Sequence, residues 1–157
     1  DGDEGELVLT SINKEAMPIL RYRTGDLTFI YPQKCRCGRT HRRISRIKGR
    51  VDDMLIVRGV NVFPSEIERV LMSLQGIGRN YQIILERERN LDKLTVKVEV
   101  EKSLFNGSLE HLKGLENKIK VRLKAELMLT PEVELVEPGS LPTTTGKAKR
   151  VIDKRVI

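Results

Sequence analysis

At 157 residues, 39% hydrophobic and 32% charged with a formal net charge of +7, the chain has the balance of a globular protein with a modest core. No apolar run approaches the roughly 18–20 residues that a membrane-spanning helix needs, and no basic-then-apolar leader is seen. Two cysteines one residue apart make no disulfide framework, so the composition points to a cytoplasmic protein rather than to a secreted scaffold.

The chain begins Asp1-Gly2-Asp3-Glu4 and enters the strand-like "ELVLT" at once, as a cut through a longer protein would. Glu6–Thr10, Ile19–Arg23 and Leu27–Tyr31 read as short strands punctuated by Pro18, Gly25 and Pro32, with "RTGD" as a tight turn. Three short strands without a covering helix bury little apolar surface. Residues 1–50 are therefore expected to be the β-rich edge of a sheet whose remainder is missing. Such orphaned edges predict self-association of the isolated chain.

Residues 51–157 carry a fuller pattern. "MLIVRGVNVF" (54–63) is a β-rich run broken by Gly59. "PSEIERVLMSL" (64–74) is a helix with Pro64 at its first position and Ile67, Val70, Leu71 and Leu74 on one face. "YQIILERER" (81–89) and "LTVKVEVE" (94–101) alternate as strands on either side of an Asn90-Leu91-Asp92 turn. A helix from about Ser108 to Leu127 carries the stripe Leu112, Leu115, Ile119, Leu123 and Leu127, and Thr130-Pro131 stops it. "EVELVE" (132–137) is a last strand, followed by a basic tail. The fold class is α+β. The β-α-β-β-α-β order predicts a ferredoxin-like domain, with two helices on one face of a four-stranded antiparallel sheet. Many unrelated functions use that fold, so it decides none of them.

Four stretches could carry chemistry. Asp26, at the corner of "YRTGD", is either a turn former or a carboxylate accepting two hydrogen bonds from a diol such as ribose. In "GRVDDMLIVRGVNVFPSEIE" (49–68), Arg50 with Asp52 and Asp53 could be surface ion pairs, ordinarily worth well under about 1 kcal/mol. Gly49 and Gly59 could serve backbone geometry alone. Cys35 and Cys37, with His41 near, offer two or three of the four ligands a structural zinc requires, and are equally two reduced surface thiols. The tail "LPTTTGKAKR" (141–150) fails as a phosphate loop: Ala148 follows Gly146-Lys147, and no earlier glycine stands at the GxxxxGK[ST] distance. Without a site for Lys147 to reach, it is a solvated basic tail.

Taken together and in this order, "YRTGDLT", "GRVDDMLIVRGVNVFPSEIE" and "GKAKR" resemble the phenylacetate–coenzyme A ligase branch of the adenylate-forming enzymes, over nearly the whole chain. The resemblance implies that a carboxylic acid, here an aryl acid, attacks the α-phosphate of ATP with Mg2+ present, and that coenzyme A then displaces AMP. It implies that Asp26 binds the ribose hydroxyls and that Arg50 approaches the nucleotide. It makes Asp52 the hinge of a small mobile C-terminal domain, residues 51–157. Gly59 would border the pantetheine channel, and Lys147 would be the cation that enters the site for adenylation. Such a charge has physical sense, because carboxylate and phosphate repel. A cation about 4 Å from each, at an effective dielectric near 20, contributes roughly 4 kcal/mol per contact before desolvation. The family's phosphate loop and acyl pocket are not in this chain, so the fragment alone is expected to be inactive.

Three other functions compete. An adenylyltransferase that stops at the adenylate fits if Arg58, bulkier than the glycine of some ligases, obstructs the thiol channel. A nucleic-acid-binding module is permitted by the acid-free basic stretch from Leu27 to Val51. RNA-binding sheets of this order want stacking aromatics, however, and the middle strands offer only Tyr81. A ligand-sensing domain would have no need of Asp26 or Lys147.

Overall fold

The computed structural model describes residues 2–105, 108–142 and 150–155, and divides the chain into two compact units, Asp1–Met54 and Leu55–Ile157. The boundary falls four residues beyond the one expected from the sequence, after the acidic pair Asp52-Asp53 rather than before it.

In the first unit, β1 (Glu4–Leu9), β2 (Tyr22–Phe29) and β3 (Gly49–Arg50) form an antiparallel sheet in that order, and a 3-10 turn follows at Val51–Asp53. "RTGD" is not a turn between two strands. It lies inside β2 as a bulge: Glu6 pairs with Leu27 and Val8 with Arg23, so Leu7 alone faces Thr24, Gly25 and Asp26. Local side chains satisfy the backbone groups that the bulge frees. The Glu6 carboxylate accepts the Gly25 N–H at 3.1 Å, while Thr24 Oγ1 donates to the Leu7 carbonyl and accepts the Asp26 N–H, each at 3.0 Å. Gly25 has φ +78, a conformation only glycine adopts without strain. The expected turn gives way because a bulge with its own polar partners keeps the strand continuous.

The second unit holds the core. β4 (Leu55–Val57) and β5 (Val60–Val62) form a separate hairpin closed by Arg58 and Gly59 at φ +51 and +79, the signature of a type I′ turn. α1 (Pro64–Met72) starts with proline at its first position, and Glu66 Oε2 accepts the Phe63 N–H at 3.3 Å. β6 (Ile77–Glu88) and β7 (Leu91–Val100) are the long antiparallel pair, turned through Arg89 and Asn90 at positive φ. A short helix, α2 (Lys102–Phe105), precedes α3 (Leu109–Leu127), which Ser108 caps by accepting the His111 N–H. Leu115, Ile119, Leu123 and Leu127 are the buried stripe of α3, as the sequence periodicity predicts.

The sheet differs from the ferredoxin-like expectation. Its order is β8 (Glu132–Val136), β7, β6, β9 (Val151–Asp153), and both outer strands run parallel to their neighbours. The 54–63 run supplies no strand to this sheet; the type I′ turn folds it back on itself as the β4–β5 hairpin. Its place in the count goes to Val-Ile-Asp at 151–153, within the stretch that reads as a basic tail. The α+β class stands, with α3 as the crossover between the parallel pair β7 and β8. Val57 and Val62 of the hairpin, Ile67 and Leu71 of α1, Ile119 and Leu123 of α3, and Ile83, Leu85, Val96 and Val98 of the sheet all lie in one core. Among the described residues, no helix is long and apolar enough to cross a membrane.

Candidate functional site

The first unit concentrates three of the expected site residues. The β2 bulge sets Asp26 opposite Arg50 of β3, and the 3-10 turn brings Asp52 and Asp53 back towards the same guanidinium. Arg50 grips Asp52 with both forks, Nε to Oδ1 and Nη2 to Oδ2, each at 2.9 Å. Its Nη1 stands 3.6 Å from Asp26 Oδ1, and its Nε 3.9 Å from Asp53 Oδ2. The hydrogen bond from Arg50 holds the Asp52 carboxyl below the ordinary aspartate range, and Asp52 in return holds the guanidinium firmly charged. Asp26 is the most sheltered carboxylate of the group, with its side chain 24% exposed against 62% for Asp52. One planar cation is thus presented beside a half-buried carboxylate and two exposed ones. Such a group can accept hydrogen bonds from a diol at Asp26 and attract an anion at Arg50.

Gly25 makes this arrangement possible, and its role is not evident from the sequence. A Cβ there would stand 3.0 Å from Arg50 Nη2 and 3.4 Å from Asp52 Oδ1. Glu6 supports the bulge from β1. It also holds Arg23, whose hydrogen bond lowers the Glu6 pKa. A glycine before an aspartate is the only trace of this in the sequence, and turn statistics explain it as readily.

In the second unit, Gly59 occupies the tip of the β4–β5 hairpin, exposed, and nothing lies within 4 Å of where its Cβ would be. Next to it, Arg58 Nε donates to the Asp92 carbonyl at 2.6 Å. Lys147 lies outside the described residues. Where the chain resumes, Arg150 bonds Glu68 of α1 and Tyr81 Oη, the latter at 2.9 Å, and its guanidinium covers the Tyr81 ring at 4.5 Å. Burial pushes the Tyr81 phenol upward, which keeps it a neutral donor and acceptor beside that cation. This cluster is invisible in the sequence because its members are separated by 69 and 82 positions.

Cys35 and Cys37 face each other with their sulfurs 2.9 Å apart, and the Cys37 contact lowers the Cys35 thiol pKa. His41 does not join them in a ligand set: among the described residues no three His, Cys, Asp or Glu side chains gather to hold a metal. The structure therefore gives the zinc expectation no support.

An α+β unit built round a core sheet, preceded by a bulged carboxylate–arginine turn, defines a class that known proteins share. Residues 59–155 match the AMP-binding enzyme C-terminal domain, and the chain belongs to that family of adenylate-forming enzymes. Among its curated relatives are phenylacetate-coenzyme A ligases. The chain is 43% identical over 99% of its length to the phenylacetate-coenzyme A ligase of Thermus thermophilus, and 43% identical over its full length to that of Escherichia coli. It spans 38% and 35% of those two proteins. Among solved structures, 2-hydroxyisobutyryl-CoA ligase, in a postadenylation state with an acyl-AMP, is similar at TM-score 0.83 and 36% identity. That match covers 97% of this chain and 32% of the ligase. A domain of a phenylacetate-coenzyme A ligase from Bacteroides vulgatus matches at TM-score 0.62 and 41% identity, over 67% of this chain and 95% of that domain.

Proposed function

We propose that this chain is the C-terminal part of a cytoplasmic, AMP-forming acid–thiol ligase that acts on an aryl carboxylic acid. ATP and the acid give an acyl-adenylate and pyrophosphate; the thiol of coenzyme A then displaces AMP and leaves a thioester. The observation that carries this reading is the 43% identity with a phenylacetate-coenzyme A ligase over 99% of the chain. Residues 1–50 are then the end of the large adenylation domain and residues 51–157 the small mobile one.

In this reading Asp26 accepts hydrogen bonds from the ribose hydroxyls, and Arg50 offers its cation to the nucleotide. The 3.6 Å spacing of the two groups supports a shared ligand. Asp52, in the turn just ahead of the boundary between the two compact units, is the hinge. Gly59 borders the path of the pantetheine arm, and its open face supports that role. Lys147 is the cation delivered to the acyl-phosphate centre for adenylation. Mg2+ enters as the counter-ion that ATP brings. The described residues offer no cluster of three carboxylates or imidazoles for it, and no step is assigned to it.

The test uses the full-length enzyme with Lys147→Ala. Pyrophosphate exchange, which reports adenylation, is expected to fall by about a hundredfold or more, the usual scale for removing one preorganised charge from a reacting centre. Thioester formation from supplied acyl-adenylate is expected to persist. Equal loss of both steps would contradict the assigned role. Release of AMP that does not depend on coenzyme A would favour an enzyme that stops at the adenylate.

A further inference from the structure

Arg155 and Asp92 form a nearly buried ion pair beside the β4–β5 hairpin. Their side chains are only 16% and 13% exposed. Arg155 Nη1 donates to Asp92 Oδ2 at 3.0 Å and to the Ile56 carbonyl at 2.7 Å. Its Nε and Nη2 fork onto Asp153 at 2.9 and 2.7 Å. Asp92 takes Arg87 Nε on its other oxygen at 3.1 Å, and its backbone carbonyl takes Arg58 Nε at 2.6 Å. One cluster therefore ties together three separate pieces of backbone: the hairpin, the β6–β7 turn and the end of β9.

The hairpin has need of it. A two-stranded ribbon is marginal by itself. Val57 pairs with Val60 across the two-residue turn, so Ile56 and Asn61 form the next, non-hydrogen-bonded pair and the Ile56 carbonyl points away from β5. Arg155 fills that outward carbonyl. Val57 and Val62 bury the inner face. The tip is fixed from the other side, at Ile56 through Arg155 and at Arg58 through the Asp92 carbonyl.

We propose that Asp92 and Arg155 are positioning residues for the coenzyme A step, holding the Arg58-Gly59 tip in place. This rests on the reading of Gly59 as a wall of the pantetheine path.

The test uses full-length enzyme carrying Arg155→Met, Arg155→Lys, Asp92→Asn or Gly59→Val. Two readouts are taken: the coenzyme A KM for thioester formation from supplied acyl-adenylate, and the rate of pyrophosphate exchange. Arg155→Met and Asp92→Asn are expected to raise that KM about tenfold, the scale of losing a charged hydrogen bond, and to leave exchange within about twofold. Arg155→Lys, which keeps the charge but loses the fork, is expected to rescue only part of the effect. If Arg155→Met fails to fold, the isosteric Asp92→Asn carries the test. Parallel loss of both steps, or an unchanged KM, overturns the proposal. Gly59→Val separates the two ideas. If it leaves the coenzyme A KM unchanged, the reading of the turn is wrong and this inference falls with it. If it raises the KM while Asp92→Asn and Arg155→Met do not, the positioning role alone is lost.

Discussion

Arg50 faces three carboxylates and commits fully to one. The bidentate bond to Asp52 is well formed, yet both partners are about half exposed or more, at 46% and 62%. Exposed pairs of this kind contribute little because water screens them and holding two side chains costs entropy. That weakness suits a residue proposed as a hinge, since a pair that breaks cheaply puts no large barrier on a backbone change. It also sets a pH dependence. Arg50 lowers the Asp52 pKa in the folded chain, so the pair stabilises fully above the unfolded aspartate value of about 3.9. The contribution disappears as pH falls through the lower, folded value. An NMR titration of the Asp52 carboxyl carbon is expected to give a midpoint below the ordinary value, and Arg50→Gln to move it back up. Coincident midpoints in the two proteins would show that the fork does not persist in solution.

At the scale of elements, the β2 bulge is what brings Asp26 and Arg50 together, and Gly25 is what permits the bulge. Alanine at this position meets two obstacles: a φ of +78 and a Cβ only 3.0 Å from Arg50 Nη2. The first costs about 1–2 kcal/mol; the second displaces the guanidinium itself. Gly25→Ala in the full-length enzyme is therefore expected to weaken ATP binding, read by calorimetric titration, while the Lys147-independent thioester step is retained. Unchanged ATP affinity would detach the bulge from the nucleotide site. Sequence periodicity reveals the elements that bury a regular face: α1 through Ile67, Val70 and Leu71, α3 through its leucine stripe, and β7 through its alternation. It does not reveal the bulge, because Thr24-Gly25-Asp26 has turn chemistry wherever it occurs, and only pairing with Leu7 makes it part of a strand. It misassigns 54–63 for a similar reason. A β-rich run with one glycine is equally a broken strand or a hairpin, and positive φ at Arg58, a residue with no special liking for it, decides. It misses β9 because three residues carry no period at all. Among the candidate site residues, Asp26, Arg50 and Asp52 are singled out by motif order, whereas Gly25, Arg150 with Tyr81 and Arg155 with Asp92 depend on contacts between distant positions.

Across the whole molecule, apolar burial is one-sided. Every buried hydrophobic side chain among the described residues lies at Val57 or beyond. In Asp1–Met54 the buried side chains are Thr28 and Ser45, bonded to each other at 2.9 Å, while Val8, Leu9, Ile12, Met17 and Leu20 are exposed. Burial of apolar surface is the main force opposing chain entropy, so a three-stranded sheet without it has little to hold it folded. The Leu55–Ile157 unit, by contrast, has one continuous core spanning hairpin, helices and sheet. The residues 55–157 are accordingly expected to fold alone with a single cooperative urea transition, and residues 1–54 alone to show none. The whole chain should self-associate through its uncovered apolar strands, with a sedimentation coefficient that rises with concentration, while 55–157 stays monomeric. A monomeric full chain, or a cooperative transition in 1–54, would mean that the first unit has found stabilisation its side chains do not display. The asymmetry also bears on the proposed mechanism: a lobe with its own core can move as a rigid body, whereas a coreless sheet would take its rigidity from the large adenylation domain of which it is proposed to be the end.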